Sequence, residues 1–303
     1  MYDIQGETMN NKATMLRGTI GNGMVRYFAI DSTNMVKTAK ETHNTSYTAT
    51  VALGRLITAG ALMSGMLKND QDATTITMNG GGPAGTLICT AYQNGLIKGY
   101  IDNPYNEIPP RDDGNIDVGK FIGTNGRLSI MRNMGFGQPY TGQIELQSGE
   151  IASDLAYYFL KSEQIASLIA LGVSLDKDGS IKKAGGIILQ VMPGCSDELI
   201  NQLEVRSMIM SDISKQLEEL SVSDFVYALF HDLEIKLNET THPYYGCDCS
   251  VEKIEKVLLS MGEADLRELL DNDEETEIKC HFCQKEYSFN NDDINKLIES
   301  GKL

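Results

Sequence analysis

Catalytic vocabulary is scarce in this chain of 303 residues. Histidine occurs four times, at His43, His231, His242 and His281. No Ser/His/Asp arrangement or carboxylate pair can be assigned from their order, so the chain is not read as an enzyme. No G-x-x-x-x-G-K-[ST] segment occurs, which excludes a Walker-type ATP site. No apolar run reaches the ~18 residues of a membrane helix; the best stretch, 51–67, is broken by Arg55 and three glycines. A basic segment followed by an apolar one is missing from the N-terminus, so no secretory signal is read and a reducing, cytoplasmic setting is expected. Positive charge is short as well. Lys plus Arg number 26 against 42 Asp plus Glu, a net −16. Phosphate neutralisation and anionic lipid attraction both need the opposite sign, so neither nucleic acid nor membrane is expected as a partner.

The length favours two domains over one core. Residues 1–8 precede a second Met and read as an extension or tag. Residues 9–191 read as an α/β core domain. Runs at 13–20 and 24–30 flank Gly21-Asn22-Gly23, and runs at 86–92 and 96–101 flank Gln93-Asn94-Gly95, both hairpin signals. A long helix is expected over 43–68, with Ala49, Ala52, Gly60 and Ala61 allowing close packing on a sheet. Strands are expected at 74–78, 120–131, 142–146 and 185–191, and a helix at 151–163. Residues 192–242 read as a helical linker: Leu199, Leu203, Met210, Ile213, Leu217 and Leu220 recur at helical spacing. Ser196 is its expected N-cap, and Ser223 that of a second helix over 224–233. Residues 243–303 read as a small terminal domain. It comprises a helix from 251 to 261 capped by Ser250, a short helix at 265–270, an acidic loop at 271–277, a hairpin at 278–289 and a last helix at 292–298. The fold class is therefore α+β.

Chemistry concentrates in that terminal segment. Cys247 and Cys249 form a C-x-C, Cys280 and Cys283 a C-x-x-C, with 30 residues between (250–279). Two close pairs of thiolates suit one tetrahedral Zn²⁺. His281 inside the second pair is not needed, because four cysteines already close the site. Some 60 residues barely cover the entropy of their own folding. Structural zinc contributes on the order of 10–16 kcal/mol, as much as a typical domain's whole stability of about 5–15 kcal/mol. The spacing fits a purely structural zinc ribbon. It also fits a switch, because an oxidised thiolate condenses with its neighbour and the metal loses its ligands. Pairing Cys247 with Cys249, and Cys280 with Cys283, needs the least chain movement, and the small C-x-C ring should be readily reduced again. Cys89 and Cys195 read as inert small apolar residues. Gly80, Gly82 and Gly85 satisfy G-x-G-x-x-G, but Pro83 and a β-like run afterwards make them a turn rather than a dinucleotide loop.

These features, with several upstream stretches, resemble the heat-shock protein 33 family, the 33 kDa redox-regulated chaperonins, over about residues 12–300. The shared stretches are Thr45–Arg55, Gly82-Pro83-Ala84-Gly85, Gly99–Pro104, Ser148–Ala152, Tyr158–Gln164 and Gly185–Gly194. Tyr47 and Ala166 stand where the family often has Pro; neither touches the cysteines. The resemblance implies an ATP-independent holdase for unfolded or partly folded client proteins. It further implies one zinc per chain on Cys247, Cys249, Cys280 and Cys283 in an inactive reduced form. Oxidation to two disulfides then releases the metal, loosens the linker and activates the protein, commonly as a homodimer. A zinc-ribbon nucleic-acid-binding protein is the alternative reading, and an α/β enzyme with a structural zinc knob is a further rival.

Overall fold

Alternation along the strands decides which side of each sheet is buried against what. The computed structural model describes residues 11–135, 137–271 and 275–300; the expected extension at 1–8 lies outside them. The chain divides into two compact units, one running to Tyr245 and the other from Gly246.

In the first unit, β1 (Thr14–Ile20) and β2 (Val25–Asp31) form the expected hairpin, followed by helices α1 (Thr33–His43) and α2 (Tyr47–Ser64). Then come β3 (Ala73–Asn79), β4 (Leu87–Tyr92), β5 (Leu96–Ile101), the short helix α3 (Val118–Ile122), β6 (Arg127–Asn133), β7 (Tyr140–Glu145), helix α4 (Ile151–Ser162), β8 (Ser167–Leu175) and β9 (Ile181–Val191). Helices α5 (Asp197–Met210), α6 (Ile213–Glu219) and α7 (Val222–Phe230) precede β10 (Lys236–Thr241) and β11 (Tyr244–Tyr245). One sheet has the order β10-β1-β2-β9-β8, the other β11-β5-β4-β3-β6-β7. Every pairing is antiparallel except β11 with β5.

Period-two patterning builds two cores on the five-stranded sheet. Phe28, Ile30 and Ile188 join the large core around α2, which also takes Ile76 and Cys89 from the six-stranded sheet. Tyr27, Ala29, Ile187 and Leu189 point the other way, onto Leu203, Met210, Ile213, Leu217, Phe225 and Phe230 of α5–α7. The small residues of α2 serve close approach as expected: a Cβ on Gly60 would lie 2.4 Å from Cys89 Sγ.

The helix expected over 43–68 is α2, and α1, over a segment where no element was expected, runs before it. Asn44 adopts left-handed φ of 47° and ends α1. Ser46 then caps α2 by accepting from the Ala49 N–H at 3.1 Å, and the Glu107 carboxylate accepts from the Tyr47 and Thr48 N–H groups. The strand expected over 120–131 begins as α3, with Asp117 accepting from the Lys120 N–H. Ser196 caps α5 as expected, but the cap of α7 is Ser221 rather than Ser223, since Ser221 Oγ accepts from the Asp224 N–H at 3.1 Å. The segment expected as linker thus carries three helices and then a sheet strand. The Gly80–Gly85 stretch is a turn: Gly82 N–H donates to Ile122 O at 2.9 Å, and β4 follows.

The second unit holds α8 (Val251–Met261), α9 (Glu263–Asp271), the hairpin β12 (Thr276–Lys279) and β13 (Glu286–Phe289), and α10 (Asn291–Ser300). Ser250 caps α8 as expected. Its core is small: Leu258, Leu266, Cys280, Tyr287, Phe289, Ile294, Leu297 and Ile298. Of the expected acidic loop, 272–274 lie outside the described residues; Asp271 ends α9, and Thr276 and Glu277 begin β12.

Candidate metal centre

Two short pieces of chain bring the sulfurs together. Cys247 and Cys249 lie in extended chain just before the cap of α8. Cys280 directly follows β12, and the turn after it returns through Gln284, whose φ of 61° lets the Cys280 N–H reach Lys285 O at 2.9 Å. All four Sγ atoms lie within 4.8 Å of one another. Among the described residues this is the one group of three or more His, Cys, Asp or Glu so placed. Exposed His281 is outside it, and Cys89 is fully buried in β4, where burial pushes its thiol pKa up. Cys195 is half-buried beside α5.

The donor set fits a soft tetrahedral cation. Sulfurs on a Zn²⁺ with bonds near 2.3 Å stand about 3.8 Å apart. Cys247 and Cys280 are 3.8 Å apart, and Cys249 and Cys283 are 3.3 Å apart. These two contacts run between the motifs rather than within them. The protons resist crowding four thiolates without a compensating cation. Burial pushes the Cys247 thiol up; it also pushes up the Cys283 thiol, to about 11. Cys249 moves the other way. Burial alone would raise it, but hydrogen bonds from Tyr287 and from the other sulfurs bring it below the ordinary cysteine value.

In the sequence Tyr287 is marked only by its largely apolar ring. That ring packs in the small core, while its hydroxyl donates to Cys249 Sγ at 3.0 Å. The pairing of Tyr287 with Ile278 across the hairpin sets it on the strand facing the cysteine turn. Lys285 Nζ stands 5.1 Å from the ring centroid, and Lys253 pairs with Asp248 between the first two cysteines.

Together the folds and the cluster define a class: an α+β protein of two units, the second a small module built around four cysteines. The family model described as Hsp33 protein matches residues 13–290. A 33 kDa chaperonin of Clostridium perfringens (strain SM101 / Type A) is 44% identical over 287 residues, covering 94% of this chain and 91% of that protein. One from Clostridium botulinum (strain 657 / Type Ba4) is 41% identical over 290 residues, covering 95% and 98%. The solved structure of a 33 kDa chaperonin from Thermotoga maritima, a heat shock protein 33 homolog, superposes with a TM-score of 0.84 at 30% identity, covering 96% of this chain and 98% of that one. The chain belongs to the heat-shock protein 33 family. These relatives are named as chaperonins, not as enzymes, and no helix among the described residues is long and apolar enough to cross a membrane.

Proposed function

We propose that the chain is a redox-regulated, ATP-independent holdase of the cytoplasm, inactive when reduced and zinc-bound. The observation that carries this reading is the gathering of all four sulfurs within 4.8 Å in a unit whose own core is eight buried side chains. Cys247, Cys249, Cys280 and Cys283 would hold one Zn²⁺. The bound ion would keep the four as thiolates and tie the segment before α8 to the β12–β13 turn.

Activation falls to the sulfurs themselves. A thiolate attacks peroxide, an S–O bond forms, the O–O bond breaks and hydroxide leaves. A second thiolate then displaces hydroxide from the sulfenic acid and closes a disulfide. Pairing within motifs, Cys247 with Cys249 and Cys280 with Cys283, is favoured by the effect each pairing has on the unit. A bond from Cys247 to Cys280, or from Cys249 to Cys283, would tie the same two segments that the metal ties. Bonds within motifs leave them untied, and so small a core then loses its organiser. Opening of α5–α7 would uncover the apolar face of the five-stranded sheet, where Tyr27, Ile187 and Leu189 lie, for unfolding clients. A homodimer is the active assembly in this reading.

The test treats reduced, zinc-loaded protein with peroxide at elevated temperature, following zinc release and aggregation of a heat-denatured client together. Client protection should appear as zinc departs and vanish after reduction with zinc restored. Equal protection in both redox states would remove the switch.

A further inference from the structure

We infer that Tyr287 is a positioning residue that sets how fast Cys249 is oxidised, relative to its three companions. The inference rests on the redox reading above. Three observations carry it. The Tyr287 hydroxyl donates to Cys249 Sγ at 3.0 Å. The ring is buried among Phe289, Leu297 and their neighbours, so the hydroxyl is held in place by packing rather than by chance. Among the described residues no side-chain hydroxyl donates to the companion sulfurs: the Cys249 N–H points to Cys247 and the Lys285 N–H to Cys283. A donor of this kind can serve a metal-bound thiolate as well as a free one, since the sulfur keeps lone pairs, and such outer partners tune their ligand.

The direction follows from where the charge goes. When peroxide reacts with the Cys249 thiolate, a sulfur lone pair becomes the S–O bond. The O–O bond breaks, and hydroxide carries the electron pair away. Sulfur loses two electrons and peroxide gains them. Negative charge therefore drains from sulfur towards oxygen in the transition state. The phenol bonds the charged sulfur better than the partly discharged one, so it stabilises the reactant more and slows attack. Tyr287 thereby raises the oxidant level needed to complete the Cys247–Cys249 bond.

The experiment uses the zinc-loaded full chain with substoichiometric hydrogen peroxide. Dimedone traps sulfenic acids, and tandem mass spectrometry gives the ratio of modification at Cys249 to that at Cys247. In Tyr287→Phe this ratio should rise about three- to tenfold, a part of one charge-assisted hydrogen bond, while the ratio of Cys280 to Cys283 stays as in the parent. Replacing the tyrosines with 3-fluorotyrosine, a stronger donor, should move the Cys249 ratio the other way and needs no deletion. An unchanged ratio in both proteins, or an equal rise at all four cysteines, would overturn the inference, since mere loosening exposes every sulfur alike. The redox reading fails separately, if the parent chain gives no client protection on oxidation.

Discussion

Single side chains divide into those whose role is written in their spacing and those whose role depends on register. Cys247, Cys249, Cys280 and Cys283 belong to the first kind, because two close pairs point to a shared site without knowledge of the fold. Tyr287 belongs to the second. Only the β12–β13 pairing brings its hydroxyl to a sulfur. Asp72 is a further case, a buried carboxylate between α2 and β3. It accepts from the Lys68 and Asn69 N–H groups at 3.1 and 3.0 Å and from the Asn69 amide at 3.2 Å. Burial alone would raise its pKa; these donors instead hold it below the ordinary aspartate value. A depressed carboxyl stabilises the fold above its unfolded-state value, about pH 4, and that contribution is lost as pH falls through the folded value. Asp72→Ala should therefore cost about 1–3 kcal/mol at neutral pH. Denaturant unfolding at pH 7 and at pH 3 checks this, with the parent–variant gap expected to shrink in acid. A gap of the same size at both would show that packing, not charge, sets the cost.

Elements with a hydrophobic period were readable and those without were not. Helices α5–α7 follow from leucines and methionines at helical steps, and the two N-terminal hairpins from their Gly and Asn turns. Strand β8, Ser-Leu-Ile-Ala-Leu-Gly-Val-Ser-Leu, is an apolar run that helix and strand patterns share. Strand β10, Lys-Leu-Asn-Glu-Thr-Thr, is almost wholly exposed, so no alternation marks it. Ladder bonds to β1 hold it, from Met15 with Thr241 to Thr19 with Lys236, with a one-residue shift of register between Arg17 and Gly18. This strand changes what opening of the linker can mean. Helices α5–α7 are tied to the sheet by β9 before them and β10 after them. Beyond β10, Tyr245 Oη donates to Gly99 O at 2.7 Å and lies 2.8 Å from His43 Nε2. The helices can therefore open as a loop with both ends held. Closing such a loop costs only weakly with its length. Hydrogen exchange of the oxidised protein should show α5–α7 losing protection while 236–241 keep theirs. Equal exchange of β10 and α7 would mean that the sheet edge unravels along with the helices.

At the scale of the whole molecule the two units differ in what makes them stable. The first has two extensive cores sharing one sheet, one around α2 and one under α5–α7. Among the described residues the second has a core of eight buried side chains, and two of its helices, α9 and α10, open with acidic residues and end without basic ones. Charge of that pattern helps each helix start but adds nothing at its far end. Chain length and the cysteine pairs made the division into a large and a small part legible, whereas the boundary at Tyr245 depends on β11 joining β5, a two-residue contact no pattern announces. The thermodynamic consequence is that zinc should be part of the folding equilibrium of the second unit, and only through it of α5–α7. Calorimetry of the reduced, zinc-loaded chain should show two transitions. A strong chelator under reducing conditions should abolish that of the second unit, while a transition carried by the core around α2 remains. Limited proteolysis of the chelated chain should then cut first after Tyr245 and next within α5–α7. Persistence of both transitions without metal would mean that the small core suffices by itself. Oxidative loss of the metal would then have nothing to unfold.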